Sequence, residues 1–190
     1  MIKIGILGDI GSGKSFVSKS FGYPVFNADE EVSELYEKDK KIYNKLKKEL
    51  PKYFTKFPVS KHEVTNAILD DKKNLNKIIK IVHLGVRKKM KIFLKKNRNK
   101  RVLILDIPLF LEKKIYKKKD ILIFIESKQS EILKRLKKRK NYNPDLIAKF
   151  KNIQLSLEYK KKKSQFIIKN DFKNKTIKKY VNNILNSILR

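Results

Sequence analysis

Apolar positions follow two rhythms along this chain. Residues 2–7, 101–106 and 121–125 are short, nearly unbroken apolar runs rich in Ile, Leu and Val. Runs of this length predict β-strands buried on both faces. Shorter runs at 23–26 and 166–168 predict two more, with Pro24 marking a strand start or an edge. Elsewhere the apolar residues recur every three or four positions, as on one face of a helix. Phe16, Val17 and Phe21 do so, then Val32, Leu35 and Tyr36. Leu75, Ile78, Ile79, Val82, Val86, Met90, Phe93 and Leu94 make one stripe and predict a long helix over 70–96. An amphipathic helix over 177–189 closes the chain.

Local signals place the joints. Ser60 with Glu63 has the spacing of a capping box, with Ser at the N-cap and Glu at N3. Ser127 is placed as the cap of a helix bearing Arg135 and Arg139. Asn143-Pro144 reads as another helix start, for a helix carrying Gln154 and Glu158. Residues 108–112 read as a tight turn and short helix, and 37–59 as a lysine-rich stretch broken by Pro51 and Pro58. Alternating strands and helices predict an α/β fold with a parallel, five-stranded sheet covered on both faces. The 190 residues suit one domain, with residues 60–97 as a helical, substrate-side lobe.

The first strand leads into the stretch that organises the rest. Gly8-Asp9-Ile10-Gly11-Ser12-Gly13-Lys14-Ser15 satisfies the phosphate-loop pattern at every fixed position, between a predicted strand and a predicted helix. Gly8, Gly11 and Gly13 permit backbone conformations that bring N–H groups close to a polyphosphate. Lys14 is a point charge able to follow the γ-phosphate, and the Ser15 hydroxyl is a hard oxygen ligand for Mg²⁺. The alternative is a glycine-rich turn before a helix. The strand and helix on either side favour nucleotide binding, so the sheet is expected to be of the P-loop NTPase type.

Two carboxylates stand at predicted strand ends. Asp29 follows the second strand, where an open α/β sheet faces its ligand. Asp106 ends the most apolar strand, as does the acidic residue that supports Mg²⁺ in P-loop enzymes. Glu30 and Glu31 need only complement a helix dipole. His83 and Arg87 are four apart on one helix face; from spacing alone His83 reads as a partly buried structural histidine. Arg135 and Arg139 are also four apart, on a helix where surface charge would explain them equally well.

Composition narrows the class. With 49 Lys+Arg against 19 Asp+Glu the net charge is +30. Lysine is spread over almost every helix, and few arginines and stacking aromatics accompany it. That pattern favours a solvated surface over a dedicated nucleic-acid site, so no specific nucleic-acid partner is expected. Cysteine is absent, which excludes a disulfide framework and thiolate metal sites. No apolar run reaches the length of a membrane span, and no signal peptide is read at the N-terminus. The expectation is a soluble, cytoplasmic protein with no membrane partner, a monomer or a small oligomer.

In this order the motifs resemble those of the dephospho-coenzyme A kinase family, over residues 2–170. The family's phosphate loop appears as Gly8 to Ser15, with Asp9 in place of its second glycine. Its Asp-Ala-Asp appears as Asn27-Ala28-Asp29, and its His-Pro-x-x-Arg as His83-Leu84-Gly85-Val86-Arg87. Its Pro-Leu-Leu-x-Glu turn appears as Pro108-Leu109-Phe110-Leu111-Glu112. Gln129, Arg135 and Arg139 match its lid helix, in a lid region over 127–158. Gln154, Glu158 and Lys160 match its Gln-x-x-x-Glu-x-Lys, although Lys160 to Lys163 read by themselves as solvated helix surface. Asn170 ends its Val-Ile-x-Asn.

The resemblance implies transfer of the ATP γ-phosphoryl group to the ribose 3′-hydroxyl of dephospho-coenzyme A, with Mg²⁺. It implies Asp29 as base, with Lys14 and Arg139 as further catalytic groups. ATP would meet Gly8, Gly11, Ser12, Gly13, Lys14, Ser15 and Phe16, with Arg135 and Asn170. His83, Arg87, Pro108, Leu109 and Glu112 would hold the acceptor, and Ser15 and Asp106 the metal. The other readings are a nucleoside or nucleoside-monophosphate kinase, or a nucleotide-dependent nucleic-acid-binding protein.

Overall fold

Strands form where the apolar runs stand. The computed structural model describes residues 1–189. Its strands are β1 (Ile2–Gly8), β2 (Val25–Asn27), β3 (Val102–Asp106), β4 (Ile121–Glu126) and β5 (Phe166–Lys169). Its helices are α1 (Lys14–Ser20), α2 (Ala28–Lys38), α3 (Lys40–Glu49), α4 (Lys61–Asp70), α5 (Lys72–Lys96), α6 (Gln129–Lys137), α7 (Pro144–Asn152), α8 (Leu157–Lys163) and α9 (Asn174–Ile188). No helix among the described residues is long and apolar enough to cross a membrane.

The chain divides into two compact units. One comprises Met1–Asn27, Asn97–Tyr142 and the chain from Ile153 onward. It holds all five strands, parallel throughout, in the order β2-β3-β1-β4-β5. Ile4 lies level with Ile104, Ile6 with Ile123, and Ile125 with Ile168. With Val17 of α1, Phe21 at its C-cap, and Ile177, Val181 and Ile184 of α9, these residues form a buried core. Each such isoleucine contributes about 2 kcal/mol through the apolar surface it removes from water. Gly5 faces the Phe110 ring, and a Cβ at Gly5 would come within 2.3 Å of it. The sheet therefore needs glycine there, for closeness rather than conformation.

The other unit comprises Ala28–Lys96 and Asn143–Asn152. Helix α5 is its axis, with α2, α3 and α4 packed along it. Gly85 makes this possible, because a Cβ there would come within 2.8 Å of Leu35. Ser60 and Glu63 form the expected capping box at the start of α4. Helix α3 lies inside the stretch read only as lysine-rich. Asp39 starts it, accepting hydrogen bonds from the N–H groups of Lys41 (2.9 Å) and Ile42 (3.1 Å). Ile42 and Leu46 are its buried residues.

Three local expectations are corrected. The helix starting at Pro144 ends at Asn152, and Glu158 belongs to a separate helix, α8, capped by Ser156. The turn after β3 contains no helix. Lys128, not Ser127, is the N-cap of α6.

Candidate active site

The phosphate loop takes its shape from glycine. Gly11 and Gly13 have φ of 85° and 89°, in the region that side chains with a Cβ avoid. The loop closes with the Ser12 N–H donating to the Asp9 carbonyl at 3.2 Å. The Lys14 ammonium lies back over it, donating to the carbonyls of Asp9 (2.8 Å) and Gly8 (3.3 Å). No side chain caps the start of α1, and no acid occupies its first turn. This is the arrangement an anion needs.

Two distant segments brace the loop at one atom. The Ser12 carbonyl accepts from Ser127 Oγ at 2.9 Å and from Asn170 Nδ2 at 2.8 Å. Ser127 is thus used on the loop rather than as a helix cap. Asn170 is buried, and its Oδ1 accepts from the Phe172 N–H at 2.8 Å. Both polar atoms of Asn170 are therefore engaged inside the protein. Phe172, absent from the sequence reading, has φ of 62° and lies beside Gly13. The Arg135 guanidinium stands 4.2 Å from its ring centre, a cation–π contact. In the same segment, the Asp171 carboxyl is held below its usual range, first by the Lys173 N–H and also by the Thr176 hydroxyl. Arg139 lies just beyond α6, exposed, and Phe16 is 42% exposed on α1.

Asp106 ends β3 and is buried; its Oδ2 accepts from Ser15 Oγ at 2.6 Å. Among the described residues no cluster of three or more His, Cys, Asp or Glu could hold a metal. One hydroxyl and one carboxylate suit Mg²⁺, which takes few protein ligands and completes its shell with phosphates and water. Asn27 lies level with Asp106 on the adjoining strand, so an uncharged amide neighbours the acid.

Past Asp106, Pro108 and Leu109 are half-buried in the turn. Glu112 is turned inward. Its Oε1 accepts from Lys160 Nζ at 3.0 Å and from the Leu155 N–H at 2.9 Å. Lys160 also donates to Gln154 Oε1 at 2.7 Å and is only 1% exposed. Lys160 is therefore no part of a solvated surface; it is a buried cation paired with a buried acid.

In the helical unit, Asp29 lies exposed in the first turn of α2, two residues after β2 ends. Its carbonyl accepts from Ser33 Oγ at 3.0 Å. Lys89 on α5 holds α2 through Glu31 (3.0 Å) and Glu34 (2.6 Å). The hydrogen bond from Lys89 holds the Glu34 carboxyl below its usual range. His83 is half-buried and Arg87 exposed, one turn apart on α5.

Known proteins resemble the chain throughout. A family model described as dephospho-CoA kinase matches residues 2–185. The dephospho-CoA kinase of Wolbachia pipientis wMel is 30% identical over 190 residues, 97% of each chain. That of Rickettsia bellii (strain RML369-C) is 30% identical over 188 residues, 97% of this chain and 96% of its own. Among solved structures, dephospho-CoA kinase from Campylobacter jejuni superposes with a TM-score of 0.63 at 18% identity, covering 98% of this chain and 96% of that one. Deoxyadenosine kinase from M. mycoides with bound dATP gives 0.55 at 18%, covering 98% and 100%. The two superpositions show a shared α/β, P-loop kinase fold. With the loop geometry and the family match over nearly its whole length, the chain belongs to the dephospho-CoA kinase family.

Proposed function

We propose a division of labour for the reaction of this family, the phosphorylation of dephospho-CoA in coenzyme A synthesis. ATP is the donor and the ribose 3′-hydroxyl the acceptor. The loop amides of Gly8 to Gly13 and the Lys14 ammonium hold the β- and γ-phosphates. Ser15 and Asp106 hold Mg²⁺, which when bound offsets charge on the phosphate oxygens. Asp29 accepts a hydrogen bond from the 3′-hydroxyl and orients or deprotonates it. Arg139, with Arg135, offsets charge that develops during transfer. His83 and Arg87 are assigned to binding the acceptor, as are Pro108 and Leu109. Asn170 holds the loop, Glu112 holds the turn after β3, and Phe172 carries Arg135. Asn170 and Glu112 contribute through these frameworks, and Phe16 on α1 meets the nucleotide. The cytoplasm is the compartment proposed for this activity, with the protein a monomer.

The observation that supports this most directly is the 2.6 Å bond between Ser15 and Asp106 beside a glycine-shaped loop. The test is incubation with ATP, Mg²⁺ and dephospho-CoA, followed by mass detection of CoA. Phosphorylation of a nucleoside instead, with no CoA formed, would overturn the reading. Asp29→Asn is expected to lower kcat by about 10²-fold, the scale of a lost general base, while ATP still binds. A near wild-type rate would remove Asp29 from the base role.

A further inference from the structure

Asp9 stands where the family's loop pattern has glycine, and both of its carboxylate oxygens are engaged. Oδ1 accepts from the Ile10 N–H at 2.7 Å, and Oδ2 from Gln129 Nε2 at 3.1 Å. Asp9 is only 6% exposed. Gln129 is the first residue of α6, and no side chain caps that helix. Two further contacts join α6 and its lead-in to the loop. Ser127 reaches the Ser12 carbonyl, and a Cβ on Gly11 would come within 2.9 Å of Leu136. A cleft of about 270 Å³, lined in part by Asp9, Gln129 and Glu158, borders the pair. Ile132 and Leu136 pack α6 against Gly11, and the bond from Gln129 adds a polar tie at the head of the helix.

We propose that Asp9 is a positioning residue that, through Gln129, seats α6 on the phosphate loop and so sets the reach of Arg135 and Arg139. This rests on the arginine roles given above. A bare carboxylate beside the triphosphate would repel it. Here the carboxylate keeps its charge while both oxygens accept from neutral donors, and charge-assisted bonds of this kind are the stronger ones. Helix α6 then moves with the loop rather than over it.

The experiment compares Asp9→Gly, Asp9→Asn, Gln129→Ala and the Asp9→Gly/Gln129→Ala pair. Two readouts are used, steady-state kinetics with dephospho-CoA and hydrogen exchange of the α6 amides without ligand. Asp9→Gly and Gln129→Ala each lower kcat about tenfold, the scale of one charge-assisted hydrogen bond, with KM for dephospho-CoA unchanged. Asp9→Asn keeps its oxygen for the Ile10 N–H and donates its amide to Gln129 Oε1 once that carboxamide turns over, so it stays within about twofold of wild type, and the pair loses no more than the worse single variant. Exchange of α6 is faster in Asp9→Gly and Gln129→Ala but not in Asp9→Asn. Wild-type kcat and exchange in Asp9→Gly, or additive losses in the pair, would overturn the proposal. Should the wild type form no CoA, the assigned reaction fails, and exchange alone decides. Faster exchange then supports the tie, and unchanged exchange refutes it.

Discussion

Two turns leave the carboxyl ends of adjacent strands, β1 and β3, and they take their shape in different ways. The phosphate loop after β1 is shaped by short-range means, which are glycines at positive φ, a bond from Ser12 to Asp9 and a lysine folded onto neighbouring carbonyls, and only then braced from afar by Ser127 and Asn170. The turn after β3 is held from afar, by Lys160 of α8 reaching Glu112. The first lysine is half-buried and is the one proposed to meet the phosphates. The second is 1% exposed and serves the fold. Burial, not residue type, separates these two cations of one sheet unit.

Substitutions at the two lysines test the contrast. Lys14→Ala is expected to lower CoA formation about 10³-fold, the scale of a lost electrostatic contact in the transition state, with an unchanged melting temperature. A lowered melting temperature would show that Lys14 also holds the loop together. Lys160→Met does the reverse. It leaves Glu112 buried without its cation and costs about 3 kcal/mol of stability, read from the denaturant midpoint. ATP affinity measured under native conditions stays as it was. An unchanged midpoint would put Lys160 back on the surface. The smallest effect belongs to the pair Lys160→Met with Glu112→Gln. Removing both charges restores stability to within about 1 kcal/mol of wild type, because no charge is left buried alone. A pair as unstable as the single variant would mean that shape, not charge, holds this turn.

The same contrast explains what could be read from the residues. The three central strands were legible because each is an apolar run buried on both faces, and the loop because its glycines dictate their own conformation. The α4 capping box was legible because its two partners are three residues apart. Helix α3 escaped because only Ile42 and Leu46 are buried among many lysines, although Asp39 was a usable cap signal. Helices α7 and α8 merged because Ser156 went unread as a second start. Lys160 was misread because a buried lysine inside a run of four resembles any solvated face. Its burial depends on Glu112, and nothing local announces that partner. Ser127 failed as a cap for the same reason: the Ser12 carbonyl competes for it across the fold. Phe172 carries no motif, and its place beside Gly13 and Arg135 exists only once β5 joins the sheet.

Asn27 has a consequence for what the strand ends can hold. It pairs in register with Asp106, so the ends of β2 and β3 carry a single acid where two would have made a trap for stray divalent ions. With so thin a ligand set, Ser15 and Asp106 would keep a magnesium ion only alongside a nucleotide that supplies further oxygens, and not as a permanent resident.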